Sequence, residues 1–499
     1  MPSALLQMLF RGSNALGYTN YPDNVLRRFI QLSAQSGIDV FRIFDALNWI
    51  ENMRVSIDEV LKSGKICEAS ICYSGDLSSP AEKKYTLDYY LKMAQKLEKM
   101  GVHFLAIKDM AGLCKPKAAK ILFKELKKSI KIPIHFHTHD TSGNGVATLL
   151  NASEAGVDIV DVAIDSWSGF TSQPSFGAVL ESLDGNKRDP KISSAVVRTA
   201  ANYWEGVRKQ YQPFESKTRT SMSEVYLHQM PGGQYTNLRE QARSMGITDE
   251  RWPELASMYA EVNKIFGDVI KVTPISKVVG DMAIYMLANN IQIQDVLDPK
   301  KDVGFPASVI EFFSGRLGQP YKGFPKALQK KILKGKKPIN YRFGSKLPSL
   351  KIKNRTKELE KKYSETISEK DTISQIFFPE VFDEYIKHKK KFGNTSVIPT
   401  SNYFFGMNTG EEIYVSIEPG KTLIIRYFTL SEPNEKGYRT VYFELNGQAR
   451  SVDIKDNSIA VDDLAKEIAD PSNKDHVAAP IPGLLAVSYT HLTLPTKVR

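Results

Sequence analysis

The chain of 499 residues is too long for one compact core, so two or three domains are expected. Its apolar content of 42% and charged content of 25% are typical of a soluble globular protein, and its longest apolar runs are too short to span a membrane. The net charge of +11 raises the question of nucleic acid. No nucleic-acid motif accompanies the lysine-rich stretch 326–363, so we expect a solvated surface and no nucleic-acid partner.

The N-terminus and the cysteines bear on the compartment. No basic segment followed by a long apolar stretch opens the chain, so we expect no secretory signal. The odd number of cysteines favours free thiols in a reducing compartment, and we expect a cytoplasmic protein. A zinc-thiolate site is weakly supported, because Cys67 and Cys72 would face opposite sides of one strand, and the third thiol is Cys114.

The first half of the chain alternates strand-like and helix-like segments. Apolar, β-branched runs begin at residues 5, 38, 66, 102, 132 and 157. Amphipathic patterns between them predict helices, several of which end at a glycine (Gly37, Gly64, Gly101 and Gly156). Six or more such units in series favour a closed (β/α)8 TIM barrel of the α/β class over an open sheet. The first strand is followed by no glycine-rich phosphate loop, which argues against a dinucleotide-binding fold.

The pattern changes after about residue 300. Residues 300 to 395 predict short helices interrupted by prolines, and residues 401 to 455 alternate with period two, as strands do. "EPGK" and "LNGQ" supply the turns between these strands. We therefore expect a helical extension and then a small, separate β module.

Polar residues occupy the C-terminal ends of the predicted barrel strands. That end of a TIM barrel is its catalytic face, so these positions are the candidate active site. The residues concerned are Arg11, Asp45, Lys108, Asp109, His137, His139 and Asp165.

Three histidines alternate along one predicted strand. Positions two apart share a face, so His135, His137 and His139 point into the barrel, and the last two reach its open end. Two imidazoles at this spacing can bind one divalent metal, which we favour over core histidines bonded to backbone. His135 lies one layer deeper and is assigned to packing or to support of the ligands.

Lys108 is an unusual residue for the mouth of a barrel. A desolvated lysine loses its charge readily and can react with carbon dioxide to form a carbamate, which is an anionic oxygen ligand. A cationic Lys108 paired with Asp109 is equally compatible with the sequence.

Several long segments resemble the carboxyltransferase domain of pyruvate carboxylase. They include "FRIFDALNW", "AIKDMAGLCKPKAA", "HTHDTSGNGVATLL", "MPGGQYTNLREQA" and "GDVIKVTPISKVVGDMA", and the resemblance extends from about residue 5 to 483. It implies a biotin-dependent ligase of pyruvate metabolism and gluconeogenesis. The implied reaction transfers the carboxyl group from carboxybiotin to pyruvate and forms oxaloacetate.

The resemblance also implies roles for individual residues. Lys108 would be a carbamylated metal ligand beside His137 and His139, for a zinc or manganese ion. Arg11 would bind the pyruvate carboxylate, and Thr273 would shuttle a proton between the pyruvate methyl group and biotin. Without the resemblance, Thr273 is simply a turn residue before Pro274. The biotin pocket would be lined by Tyr18, Ser276 and Lys277, with biotin carried on a separate domain or chain.

The same resemblance suggests a domain division. Residues 1–300 would form the carboxyltransferase barrel and 301–395 its helical extension. Residues 396–475 would form a β module of the allosteric and tetramerisation type, as in an intact homotetramer. Residues 476–499 would be a stub of the biotinyl domain with an aberrant tail.

Some family features are missing from the printed sequence. We find no first-strand Arg-Asp-Ala-His-Gln motif, no biotin carboxylase region and no Met-Lys-Met biotin site, so we expect a fragment. Asp45 and Asp165 are candidates to replace the missing aspartate ligand. Two alternatives stay open: a catalytically silent assembly fragment, and the α subunit of an oxaloacetate decarboxylase, against which the β module argues.

Overall fold

A computed structural model describes residues 4–215 and 220–458 of the chain. It divides into two compact units, residues 1–391 and 392–499. Among the described residues, no helix has both the length and the apolar character needed to cross a bilayer.

The centre of the first unit is a parallel sheet of six strands, hydrogen-bonded in chain order from β1 to β6. Each of the six predicted apolar runs forms one of these strands, which confirms that part of the prediction. Their bounds are β1 Gln7–Arg11, β2 Val40–Phe44, β3 Ile66–Cys72, β4 Phe104–Asp109, β5 Ile134–Thr138 and β6 Ile159–Val160.

Helices connect and cover the strands. Parallel neighbours require crossover connections, and burial on both faces explains why β2 is buried at every position. The four glycines predicted to end helices all have positive φ, between 71° and 103°. The first five helices are α1 Asp23–Gln35, α2 Ile50–Lys62, α3 Leu87–Glu98, α4 Pro116–Ser129 and α5 Gly145–Glu154.

The remaining described α-helices of the first unit follow β6, and those after residue 300 agree with the predicted helical extension. The helices are α6 Phe176–Leu183, α7 Ser194–Tyr211, α8 Val225–His228, α9 Gly232–Ser244, α10 Trp252–Ile265, α11 Ile275–Ala288, α12 Ile293–Leu297, α13 Ala307–Phe313, α14 Lys326–Leu333, α15 Ile352–Tyr363, α16 Glu369–Phe377 and α17 Pro379–Phe392.

Among its described residues, the second unit contains a short α-helix and a four-stranded antiparallel sheet, whose strands are hydrogen-bonded in the order β10-β9-β8-β7. The "LNGQ" turn joins β9 to β10 with positive φ at both Asn446 and Gly447, as a tight hairpin requires. The expected biotinyl stub, residues 476–499, lies outside the described residues. The elements are α18 Thr400–Phe405, β7 Glu412–Glu418, β8 Lys421–Leu430, β9 Tyr438–Leu445 and β10 Gln448–Lys455.

Candidate active site

The basic side chains of Arg11 and Lys108 lie beside the same aromatic ring, that of Phe44, at the C-terminal ends of the barrel strands, which we call the mouth. Arg11 closes β1 and lies opposite Phe44 in the register of β1 with β2. The Arg11 guanidinium is 5.6 Å from the Phe44 ring centroid, and the Lys108 ammonium is 4.5 Å from the same centroid. The sheet therefore brings Arg11 and Lys108 together in one mouth.

The guanidinium of Arg11 is only partly satisfied by the protein. One terminal nitrogen donates to the carbonyl of Gly17. The buried Nε atom has no hydrogen-bond partner among the described residues. A buried donor of this kind calls for an acceptor, and a carboxylate fits the planar edge of a guanidinium.

Lys108 is fully enclosed. It lies directly opposite His137 in the register of β4 with β5, and only 2% of its surface is exposed. Burial lowers its pKa to about 8, and the nearby guanidinium groups act in the same direction. Its Nζ contacts the sulfur of Met110. A buried amine of lowered pKa is more often neutral and therefore more nucleophilic toward carbon dioxide.

The two histidines of the mouth present the same nitrogen to each other. His137 Nε2 and His139 Nε2 are 3.3 Å apart. Two nitrogens that are each about 2.1 Å from one zinc ion lie about 3.0–3.4 Å apart. The pair thus has the separation that a shared metal ion requires.

The other ring nitrogen of each histidine is bound elsewhere. His137 Nδ1 is 2.7 Å from Asp161 Oδ2, and His139 Nδ1 is 2.6 Å from the carbonyl oxygen of Thr171. Both acceptors hold a proton on Nδ1, so both Nε2 lone pairs are free for a ligand. Burial lowers the pKa of His139 to about 3 and also lowers that of His137, which favours the neutral, ligating form.

Among the described residues, a third ligand would come from a different residue type. Within the described ranges, no three His, Cys, Asp or Glu side chains are grouped so as to hold a metal ion. Lys108 faces His137 across adjacent strands and fits this position chemically only as an anionic carbamate. The residues present therefore fit a divalent metal bound by two imidazoles and an oxygen ligand.

A buried ion network of Arg42, Glu68, His135 and Asp161 lies one layer below the mouth. Arg42 donates to Glu68 through Nε and to Asp161 Oδ2 through Nη1, the latter at 2.6 Å. His135 lies between Glu68 Oε2 at 2.8 Å and Asp161 Oδ1 at 2.7 Å. Arg42 Nη2 also lies 3.0 Å from His135 Nδ1 and 3.2 Å from its Nε2. Both ring nitrogens of His135 are therefore engaged within the network and are not available to a metal.

The contacts of this network also shift the pKa values of His135 and Asp161. Burial acts to lower the pKa of His135, but the hydrogen bonds with Asp161 and Glu68 raise it overall. Burial acts to raise the pKa of Asp161, but the two histidines and Arg42 hold it well below its usual range. Sequence reasoning assigned His135 to support but missed the roles of Asp161, Arg42 and Glu68. The available signal was a charged residue inside each of two otherwise uncharged strands, Arg42 in β2 and Glu68 in β3.

The aspartates proposed to replace a missing ligand are engaged in their own loops. Asp45 accepts from the amides of Leu47 and Trp49 and from the Asn52 side chain, each at 2.9 Å. Asp165 accepts from Ser175 Oγ and the amide of Gly177, at 2.8 and 2.7 Å. These bonds tie the aspartates to loop backbone, and neither aspartate contacts the histidine pair in the described structure.

The remaining predicted residues form two groups. Tyr18 is 61% exposed, and its ring is 5.5 Å from the Arg11 guanidinium, at the rim of the mouth. Thr273 Oγ1 is 3.3 Å from the buried Ser276 Oγ at the start of α11. Lys277 points away to pair with Asp281 at 2.8 Å. The hydrogen bonds of the described residues do not join this second group to Arg11 or Lys108.

Two family profiles match the chain. A profile described as "Conserved carboxylase domain" matches residues 225–426, and a profile described as "HMGL-like" matches residues 34–169. The pyruvate carboxylase of Bacillus subtilis is 50% identical over 483 residues, and pyruvate carboxylase 1 of Caenorhabditis elegans is 44% identical over 486. Each alignment covers 97% of this chain but only 42% and 41% of the relative. The chain thus spans about two fifths of these relatives.

Solved structures give the same likeness. The carboxyl transferase domain from Rhizobium etli pyruvate carboxylase is 51% identical, with a TM-score of 0.89, over 91% of this chain and 76% of that one. The same domain solved with pyruvate and biocytin matches equally, over 77% of its length. The expected TIM-barrel class and family are confirmed by these matches.

Proposed function

The chain belongs to the family of pyruvate carboxylase carboxyltransferase domains, and on that basis we propose that it transfers a carboxyl group from carboxybiotin to pyruvate, forming oxaloacetate. A related domain has been solved with pyruvate and biocytin, which supports this choice of substrates. The curated relatives are more than twice as long as this chain, so the complete reaction needs parts that other domains supply.

One observation carries the proposal: the mouth combines a site for an anion at Arg11, the anion-binding edge, with a site for a metal ion at His137 and His139, the metal edge. The buried Nε of Arg11 lacks an acceptor among the described residues, and the two histidine Nε2 atoms are 3.3 Å apart. Lys108 links both edges, since it faces the same Phe44 ring as Arg11 and pairs in register with His137. A small 2-oxo acid has a carboxylate for the first edge and a carbonyl oxygen for the second.

In the proposed reaction, Arg11 holds the pyruvate carboxylate through paired N–H donors. Lys108, as a carbamate, together with His137 and His139 would bind the metal, which when present acts as a Lewis acid toward developing enolate charge. The enclosed mouth excludes water while carbon dioxide leaves carboxybiotin. These residues thus orient the substrate and stabilise its transition state.

Thr273 is proposed to move the proton. Its hydroxyl gives a proton to the biotin nitrogen freed by decarboxylation and takes one from the pyruvate methyl group, while the methylene carbon bonds to carbon dioxide. A hydroxyl of high pKa serves only as such a relay between a strong base and a substrate held close. Ser276, 3.3 Å from Thr273, and Tyr18, at the rim beside Arg11, are proposed to line the biotin pocket. Lys277, exposed and paired with Asp281, is the weakest member of that set.

The carrier of biotin, the oligomeric state and the cellular compartment are also proposed from the family to which the chain belongs. Biotin would be carried by a separate domain or chain, and the unit from residue 392 onward would contribute to a homotetramer of the intact enzyme. All three cysteines are free and buried, which supports a reducing compartment such as the cytoplasm.

The reverse half-reaction tests the proposal on the chain itself. Purified chain is incubated with zinc or manganese and oxaloacetate, and pyruvate is measured through lactate dehydrogenase, with and without free biotin. We expect pyruvate formation above the spontaneous rate that depends on biotin. A chain that binds metal but shows no biotin-dependent turnover would contradict the proposal and support a catalytically silent assembly fragment.

A further inference from the structure

Asp161 is at the junction between the buried ion network and the metal edge of the mouth. Its Oδ2 atom is 2.7 Å from His137 Nδ1 and 2.6 Å from Arg42 Nη1, and its Oδ1 atom is 2.7 Å from His135 Nε2. Its side chain is 26% exposed, whereas those of Arg42 and Glu68 are 7% and 1% exposed. One carboxylate thus connects the buried charges to a single mouth residue.

The carboxylate cannot turn away from His137. Rotation about its side-chain bonds would break the Arg42 and His135 contacts together, and both of those partners are buried and held in turn by Glu68. The hydrogen bonds therefore fix the ring plane of His137 as well as its proton.

The two histidines of the mouth differ in this respect. His139 Nδ1 faces the neutral carbonyl of Thr171 at 2.6 Å, whereas His137 Nδ1 faces a carboxylate. A carboxylate acceptor makes the opposite ring nitrogen a stronger electron donor than a neutral acceptor does.

We propose that Asp161 is a positioning residue: it holds His137 with the proton on Nδ1 and with Nε2 turned toward His139, and so sets the affinity of the mouth for its metal. Arg42 and His135 act through Asp161 by fixing its orientation. This inference rests on the metal edge proposed above, and it adds a residue that neither the sequence patterns nor the family likeness assigned.

The test compares Asp161→Asn with a matched control. Asp158→Asn changes an aspartate just before β6 whose partners are Lys127 and the backbone amide of Ile134, each at 2.8 Å, rather than a mouth histidine. Zinc affinity of the full chain is measured by competition with a chromophoric chelator, and the unfolding midpoint is measured in parallel. We expect Asp161→Asn to bind zinc about 10- to 100-fold more weakly and Asp158→Asn to stay within about twofold of wild type.

A second measurement reads the proton directly. Long-range proton–nitrogen correlation spectra of the metal-free wild-type chain should show His137 with Nδ1 protonated and Nε2 bare. This measurement decides the question even if Asp161→Asn does not fold. A proton on Nε2 of His137 would overturn the inference.

The outcomes separate this inference from the proposed function. Equal zinc affinity in wild type and Asp161→Asn overturns the inference alone. Wild-type chain that binds no metal overturns the metal edge of the proposed function, and the tautomer of His137 then decides whether Asp161 positions the ring.

Discussion

At the scale of single residues, the hydrogen-bond partners of the two ring nitrogens determine whether a histidine can bind a metal ion. His137 and His139 have Nδ1 occupied by an acceptor and Nε2 free, whereas both nitrogens of His135 face carboxylates. Alternation along β5 and the residue that follows it places all three on one face, but only His137 and His139 have a ring nitrogen that is not engaged by the ion network.

This difference predicts the metal content of three alanine variants. His137→Ala or His139→Ala removes a ligand, and bound metal should fall well below one per chain. His135→Ala leaves both ligands in place, with Asp161 still bonded to Arg42, so most of the metal should remain. Elemental analysis of the purified variants checks this, and an equal loss in all three would contradict the assignment.

Arg11 is expected to act mainly on substrate affinity. Arg11→Lys keeps the charge but removes the planar pair of donors, including the buried Nε, so the dissociation constant for pyruvate should rise about 10-fold or more. Titration calorimetry of pyruvate into metal-loaded chain measures it. Metal content should stay at the wild-type level, and unchanged pyruvate affinity would show that Arg11 does not bind the carboxylate.

At the scale of elements, the connection from β4 to α4 packs against the backbone of His139, one of the two histidines of the metal edge. Gly112 has a φ of +68°, and a Cβ atom there would lie 2.5 Å from the carbonyl oxygen of His139. That oxygen belongs to backbone, so a side chain at Gly112 must displace His139.

A pair of glycine variants isolates this contact. Gly112→Ala and Gly64→Ala both impose positive φ on alanine, at a cost of about 1–2 kcal/mol each, but no atom lies within 4 Å of the Cβ position at Gly64. Gly112→Ala should therefore lower zinc affinity about 10-fold or more, and Gly64→Ala should leave it unchanged. Chelator competition measures both, and equal affinities would show that this loop does not set the position of His139.

How far the sequence predicts the structure depends on the range of the interactions. The six strands and the first helices follow from local periodicity and from glycines at helix ends, so they were predictable. His137 and His139 were predictable because residues two apart in an extended segment share a face, although His139 lies just beyond the end of β5. The ion network joins side chains on β2, β3 and β5 with one that follows β6, and its pairing depends on strand register, which local patterns do not contain. Asp161 was missed for that reason.

At the scale of the whole molecule, part of the basic charge of the lysine-rich stretch 326–363 is paired within the protein. Lys331 donates to three backbone carbonyls near the end of α12, and Arg342 pairs with Asp23 at 2.6 Å. Lys334 pairs with Asp302, and Lys362 pairs with Asp383. The lysine-rich stretch is therefore less available to phosphates than its composition suggests.

Binding to nucleic acid should accordingly be weak and non-specific. We expect fluorescence anisotropy with duplex DNA to show binding at low salt that disappears near physiological ionic strength, as counterion release requires. Binding that survives physiological salt, or that selects a sequence, would contradict this account of the net charge.

The proposed reaction predicts reversible carboxyl transfer in which Thr273 moves the proton. The direct measurement is isotope exchange, in which labelled pyruvate and unlabelled oxaloacetate are incubated with metal-loaded chain, with and without free biotin. Label should enter oxaloacetate only when biotin is present. In Thr273→Ala the exchange rate should fall about 100-fold or more, while pyruvate affinity and metal content stay near wild type. Exchange that proceeds without biotin, or at a near wild-type rate in Thr273→Ala, would contradict the account.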